Sequence, residues 1–163
     1  MKKAIVIHNP ISGKGKSRDA ALALENSILT KEYDLQIIPT EYHEHATAIV
    51  KKHLAEGIQN FIAIGGDGTV NEIGGALKNS GAVMGIIPTG SGNGLAKHIG
   101  MSNIVQEAIL QLKDAKIKCI DSLLINNRFA VNVSGYGFDG YVDRKSTRLN
   151  SSHSSVSRMP SSA

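Results

Sequence analysis

Between Gly65 and Thr69 the chain reads Gly-Gly-Asp-Gly-Thr, directly behind the apolar run Phe61-Ile62-Ala63-Ile64. Gly65, Gly66 and Gly68 admit backbone angles that side chains forbid. From Thr69 onward, apolar residues recur at helical spacing (Val70, Ile73, Ala76, Leu77). A strand that turns tightly into a helix leaves unpaired N–H groups aimed into one crevice, with the positive end of the helix dipole behind them. The chemistry such a turn supports is phosphate binding. Asp67 would repel a phosphate unless it holds Mg²⁺ or anchors the loop by accepting N–H bonds. Thr69 can donate to phosphate or cap the helix, and Glu72, three residues on, can complete a capping box. Asn71 lies between them in the same turn.

Two more loops share this character. Asn9-Pro-Ile-Ser12-Gly13-Lys-Gly15 follows the β-branched run Ala4–Ile7, and Pro88-Thr89-Gly90-Ser91-Gly92-Asn93-Gly94 follows Val83–Ile87. Glycines, hydroxyls and amides suit donation to phosphate oxygens. One glycine-rich loop is an ordinary tight turn as readily as a phosphate site; three at equivalent strand ends are more specific. Gly13-Lys14 lacks the spacing of a P-loop, and no Gly-x-Gly-x-x-Gly follows the first strand, against a standard dinucleotide fold. Thr40, just after Pro39, either touches the nucleotide or simply ends a strand. The six histidines show no metal-ligand spacing with cysteine or acids, His43-x-His45 being the nearest approach. No Ser/His/Asp or Cys/His set stands out.

The elements that must position these loops alternate strand and helix. Ser17 is placed to cap a helix carrying Ala20, Ala21, Leu24 and Ile28. Leu35–Ile38 reads as a strand, His45–Glu56 as a helix stopped by Gly57, and Ile104–Leu112 as a later helix. Runs 117–125 and 129–133 read as strands around the turn Asn126-Asn127-Arg128. This pattern predicts an α/β fold in three layers, a mostly parallel sheet with helices on both faces and binding loops at its carboxyl ends. Residues 1–125 form the α/β domain, 126–143 begin a β-rich domain that is cut off, and 144–163 form a disordered tail.

Composition narrows the class. Seventeen glycines, no Trp and 41% hydrophobic residues fit a cytoplasmic α/β protein. Only four apolar residues follow Met1-Lys-Lys before His8, too few for a signal peptide, and no apolar run approaches the ~20 residues of a membrane span. Cys119, the single cysteine, is expected to be a buried, inert thiol. The net charge of +4 resides in the tail: four of the 18 basic residues lie after residue 143 with no acids, leaving 14 against 14 before it. Nucleic acid is therefore not an expected partner. The last 20 residues hold eight serines and no apolar period. They resemble a translated sequencing-adapter read-through, so a foreign end on a shortened chain is expected. Lys51, Lys52 and His53 are expected on a solvated helix face, with contact to anionic lipid as the alternative.

Taken together the motifs resemble those of the diacylglycerol kinase catalytic-domain family of lipid kinases, which includes bacterial lipid kinases, sphingosine kinases and ceramide kinases. The matching pieces are Asn9-Pro-x-Ser12-Gly13-x-Gly15, Thr40 with His45-Ala46, Gly65-Gly-Asp-Gly-Thr-Val-Asn-Glu72, Pro88-Thr-Gly-Ser-Gly-Asn93, Asp121 and Gly137-Phe-Asp139. The resemblance implies an ATP site drawn from Asn9, Ser12, Gly13, Thr40, Gly65, Gly66, Asp67, Gly68, Thr69, Asn71, Glu72, Thr89, Gly90, Ser91 and Asn93. It implies Mg²⁺ as cofactor, with Asp67 as its candidate ligand, and transfer of a γ-phosphoryl group to a lipid hydroxyl of diacylglycerol or sphingoid type. Peripheral contact with the membrane surface, a role in phospholipid metabolism and a homodimer are compatible with it. Ser91 and Gly94 stand where many diacylglycerol-type members carry Thr and Asp, and the Thr40-Glu41…His45-Ala46 and Gly-Ser-Gly-Asn forms lean toward sphingosine-kinase-like relatives. The family's catalytic acid/base lies in a later β-sandwich half, so this chain alone is expected to be inactive. An NAD-kinase-like enzyme with a soluble acceptor and a non-catalytic nucleotide-binding module are the alternatives.

Overall fold

The structure, a computed structural model, describes residues 1–125 and 128–131. Four strands, β1 (Lys2–His8), β2 (Tyr33–Pro39), β3 (Asn60–Gly65) and β4 (Val83–Pro88), form one parallel sheet in the order β2-β1-β3-β4. Helix α1 (Lys16–Glu25) links β1 to β2, α2 (His45–Ala55) links β2 to β3, and α3 (Asp67–Leu77) links β3 to β4. Helices α4 (Gly94–His98) and α5 (Val105–Lys113) follow, then an antiparallel pair, β5 (Leu123–Ile125) and β6 (Arg128–Ala130).

The strand order fixes where the helices lie. The first crossover steps from β1 to one side, and the next steps back across it to β3. Right-handed crossovers then send α1 to one face and both α2 and α3 to the other. The core follows that division. Ile5, Ile7, Phe61, Ala63 and Ile86 pack with Ile49 and Val50 of α2 and Val70 and Ile73 of α3. The alternate residues Val6, Ile62, Ile64 and Ile87 pack with Ala20 and Leu24 of α1 and Ala108 and Ile109 of α5. A sheet covered on both faces explains why these strands read as continuous apolar runs. The winding reverses between β1 and β3, and an open α/β sheet leaves its crevice at the carboxyl end of such a reversal. This is the three-layer architecture expected.

Several local expectations change. Helix α3 begins at Asp67 with Gly66 as its cap residue, two residues before Thr69. Ser17 caps nothing: it is buried inside α1, whose cap residue is Gly15 at φ 96°. The chain turns into α1 through left-handed Gly13 and Lys14, so the helix starts where the turn ends and not at the nearest hydroxyl. Of the apolar stretch 117–125 only Leu123–Ile125 is strand. Cys119 is exposed, because among the described residues no second layer covers the segment preceding β5. Lys51 and Lys52 are exposed, but His53 is buried against Glu56, 2.8 Å away. Among the described residues no helix is long and apolar enough to cross a membrane. Residues 1–132 form one compact unit. Gly137-Phe138-Asp139, the 132–143 stretch and the tail 144–163 lie outside the described residues.

Candidate functional site

At the carboxyl end of the sheet the three glycine-bearing loops meet. The first leaves β1 through Asn9, whose backbone N–H reaches the Ile64 carbonyl of β3 at 3.4 Å. The Asn9 side chain accepts the Ile11 N–H at 3.1 Å, and its carbonyl accepts the Ser12 N–H at 3.0 Å. That Asx turn folds the loop back, and Gly13 follows at φ 62°. A Cβ at Gly13 would overlap the Thr89 carbonyl oxygen. Glycine is thus required twice over, by dihedral and by contact.

The second and third loops approach as closely. A Cβ at Gly90 would lie 2.6 Å from the Gly66 Cα. The Thr89 N–H donates to the Gly65 carbonyl at 2.9 Å. Asp67, in the first turn of α3, reaches across and accepts the Gly94 N–H at 2.7 Å, while its other oxygen would lie 2.6 Å from a Cβ at Gly92. Asn93, buried and left-handed at φ 55°, accepts the Gly90 N–H at 3.0 Å and donates to the Gly90 carbonyl at 2.8 Å and to Asn103 at 3.2 Å. Asp67 therefore anchors the loop, one of the two roles its chemistry allowed. Thr69 is buried with its side chain against Gly65, where any Cβ would collide at 2.6 Å.

Thr89 carries the most pointed observation. Its residue is buried, and its Oγ1 has no hydrogen-bond partner among the described residues. A buried hydroxyl without a partner costs about 1–3 kcal/mol. Ser91 and Gly68 are exposed, and Ser12 and Gly66 half-buried, around the same junction. Thr40 sits one strand over, its N–H donating to the His8 carbonyl at 2.8 Å.

Two expected residues face elsewhere. Glu72 makes no capping box with Thr69, since α3 already began at Asp67; its Oε1 accepts the Thr47 N–H at 3.0 Å and caps the first turn of α2. Asn71 donates to the Phe129 carbonyl at 3.2 Å and accepts the Val131 N–H at 3.0 Å. With Gly68, these two line an open cleft of about 430 Å³ between α2, α3 and β6, together with His43, Thr47 and Lys51. Periodicity cannot reveal this cleft, because its walls come from elements distant in sequence.

Sequence reasoning also missed His8. It is buried at the end of β1, with Nδ1 3.3 Å from the buried Ser17 hydroxyl. Burial first, and the Arg18 guanidinium second, push the imidazole below its ordinary range and keep it neutral near pH 7. The pair ties the entrance of the first loop to its exit in α1.

The family model for the diacylglycerol kinase catalytic domain matches residues 3–125. The chain belongs to that family. A diacylglycerol kinase of Staphylococcus aureus is 30% identical over 142 residues, covering 83% of this chain and 44% of its own length. An uncharacterized Synechocystis sp. protein is 31% identical over 159 residues, covering 90% of this chain and 36% of its own. The crystal structure of a diacylglycerol kinase from Bacillus anthracis str. Sterne superposes with a TM-score of 0.68 at 25% identity, covering 78% of this chain and 45% of that one. The family is one of lipid kinases, and its fold is the one described above. The chain spans less than half the length of these relatives.

Proposed function

We propose that the chain is the nucleotide side of an ATP-dependent lipid kinase, which passes the γ-phosphoryl group to a hydroxyl of a diacylglycerol- or sphingoid-type lipid at a membrane surface. The reading rests above all on the Thr89 hydroxyl, which has no partner among the described residues and is buried where the loops after β1, β3 and β4 touch. Backbone donors of the Ser12-Gly13 and Gly65–Gly68 turns and the Ser91 hydroxyl receive phosphate oxygens there, and Thr89 Oγ1 gains its donor role only with the nucleotide bound. Asn9, Gly90 and Asn93 hold the loops in place for it; Thr69 supports the turn from beneath, and Thr40 borders the nucleotide.

Mg²⁺ fits this site as a partner of the nucleotide more than of the protein. Among the described residues no three acidic, histidine or cysteine side chains are grouped to hold a metal. Mg²⁺ keeps most of its waters and needs only one or two carboxylates besides substrate phosphates. Asp67 is the carboxylate at hand. When bound, the ion would neutralise charge on the phosphates; the chain's own part is to orient them.

Phosphoryl transfer depends on positioning both reactants, and the chain corresponds to 44% of the S. aureus diacylglycerol kinase. By itself it is expected to bind MgATP and phosphorylate no lipid. Titration calorimetry with MgATP, alongside a radiolabelled-ATP assay offering diacylglycerol, sphingosine and NAD, tests both halves. Thr89→Val should fold at least as stably as the parent yet bind nucleotide about tenfold more weakly, since bonds to charged groups contribute ~1.5–3 kcal/mol. Asp67→Ala should weaken binding further by freeing the β4–α4 loop. Unchanged affinity in both variants would sink the site assignment. Labelled lipid would overturn inactivity alone, and labelled NAD would move the acceptor to the soluble class.

A further inference from the structure

Asn71 was expected to touch the nucleotide, but its amide is committed to β6. The two bonds have a specific form. In a strand, the carbonyl of residue i and the N–H of residue i+2 leave the same edge. A neighbouring parallel strand satisfies that pair with the N–H and C=O of one residue. Asn71 does the same with its side chain, donating Nδ2–H to the Phe129 carbonyl and accepting the Val131 N–H on Oδ1. The oxygen and nitrogen positions of the amide are fixed by these partners, since a carbonyl needs a donor and an N–H an acceptor. The opposite edge of β6 pairs with β5. One side chain thus stands in for a third strand.

The helix surface beside Asn71 is shaped for the same purpose. Gly74 and Gly75 follow one turn on, and a Cβ on Gly75 would come 3.1 Å from Phe129 Cδ1. One on Gly74 would meet Val131 Cγ1 at 3.3 Å and the Phe129 ring at 3.7 Å. Two adjacent glycines inside a helix lower its propensity by about 1 kcal/mol each. Here that weakness coincides with the seat of an aromatic ring. Phe129 and Val131 are half-buried against α3 as a result.

The geometry points to Asn71 as a positioning residue, not a nucleotide ligand: it sets the register at which β6 docks on the helix that carries the Asp67 turn. Resting on the proposed function, this assigns α3 two tasks. Its first turn orders the phosphate loops through Asp67, and its second and third turns seat β6. A side chain that mimics a peptide group is sensitive to the loss of either its donor or its acceptor, which makes the assignment testable atom by atom.

The test is amide hydrogen exchange at Val131 in the full chain, run beside MgATP titration, for Asn71→Ala, Asn71→Asp and Gly75→Leu. Asn71→Ala should raise Val131 exchange about tenfold or more by local opening. Asn71→Asp keeps the acceptor for the Val131 N–H but loses the donor to the Phe129 carbonyl. Its Val131 exchange should therefore fall between that of the alanine variant and that of the parent, a gradation that a general loss of stability would not show. Gly75→Leu fills the ring seat with a better helix former, so it should release β6 while the α3 amides stay protected. All three should bind MgATP within about threefold of the parent, a difference under ~1 kcal/mol. If Asn71→Ala leaves Val131 protected, or if it weakens nucleotide binding more than tenfold with Val131 still protected, the assignment is overturned. Should the parent chain bind no nucleotide, the proposed function fails while the exchange measurements still decide the role of Asn71.

Discussion

Phe61–Ile64 and Leu123–Ile125 are both short apolar runs with strand geometry, yet their fates differ. The first is buried, with Phe61 at 1% exposure. The second is open, with Leu124 at 57%. Strand β3 lies between β1 and β4 and under two helical layers, so both of its faces and both of its edges are occupied. Strand β5 has one partner and, among the described residues, no layer above it. A two-stranded ribbon is marginal in water. Apolar composition makes a strand available; burial is decided by how many neighbours the topology supplies. The covered region is also the one whose loops converge, which is what a phosphate site requires.

The largest expected effect measures that contrast directly. Phe61→Ala removes a fully buried ring and should cost about 3–5 kcal/mol in urea unfolding. Leu124→Ala should change stability by no more than about 0.5 kcal/mol. Equal losses would mean that Leu124 is covered in solution and that the two runs are not different in kind.

A second pair separates strain from contact. Gly13 and Gly81 both have left-handed backbones, φ 62° and 76°. A Cβ at Gly81 meets nothing within 4 Å, whereas one at Gly13 overlaps the Thr89 carbonyl. Alanine at either position incurs the left-handed penalty of roughly 1–2 kcal/mol. Only Gly13→Ala must also push the first loop off the third. Its MgATP affinity should fall at least tenfold, about 1.4 kcal/mol, while Gly81→Ala binds like the parent. Matched affinities would show that loop contact at Gly13 is irrelevant to the site.

Much of this arrangement is legible without coordinates because it is written in local terms. Strand–helix alternation and the three loops depend on residues adjacent in sequence, and the family motifs lie at those same loops. What stayed hidden depends on distant partners. Glu72 has the spacing of a capping box, but the Thr47 N–H, 25 residues away, takes its carboxylate. Ser17 resembles a cap, but the turn through Gly13 and Lys14 ends at Gly15 and leaves Ser17 facing His8 inside the core. Cys119 sits in an apolar run, and only topology reveals that no described element covers it. Asn71 looks like one more polar residue of a phosphate turn until β6 is placed against it.

The smallest expected effect concerns what the covered region tolerates. His8 is a polar side chain buried at the crevice end of β1, and burial followed by Arg18 holds it below the ordinary imidazole value of about 6.5. In the window between its folded value and about 6.5, the unfolded chain binds the proton more readily than the folded one. Stability attributable to His8 is therefore complete above that window and is lost as the pH falls through it. One group can contribute a slope of at most ~1.4 kcal/mol per pH unit. Unfolding free energies measured from pH 5 to 7 for the parent and for His8→Asn, which keeps a partner for Ser17, isolate this term by difference, because the other titrating groups are common to both. The parent should gain stability relative to the variant as pH rises. A flat difference, or one falling with pH, would mean that the ring titrates as it does in water and that the crevice end of β1 opens to solvent like the β5 ribbon.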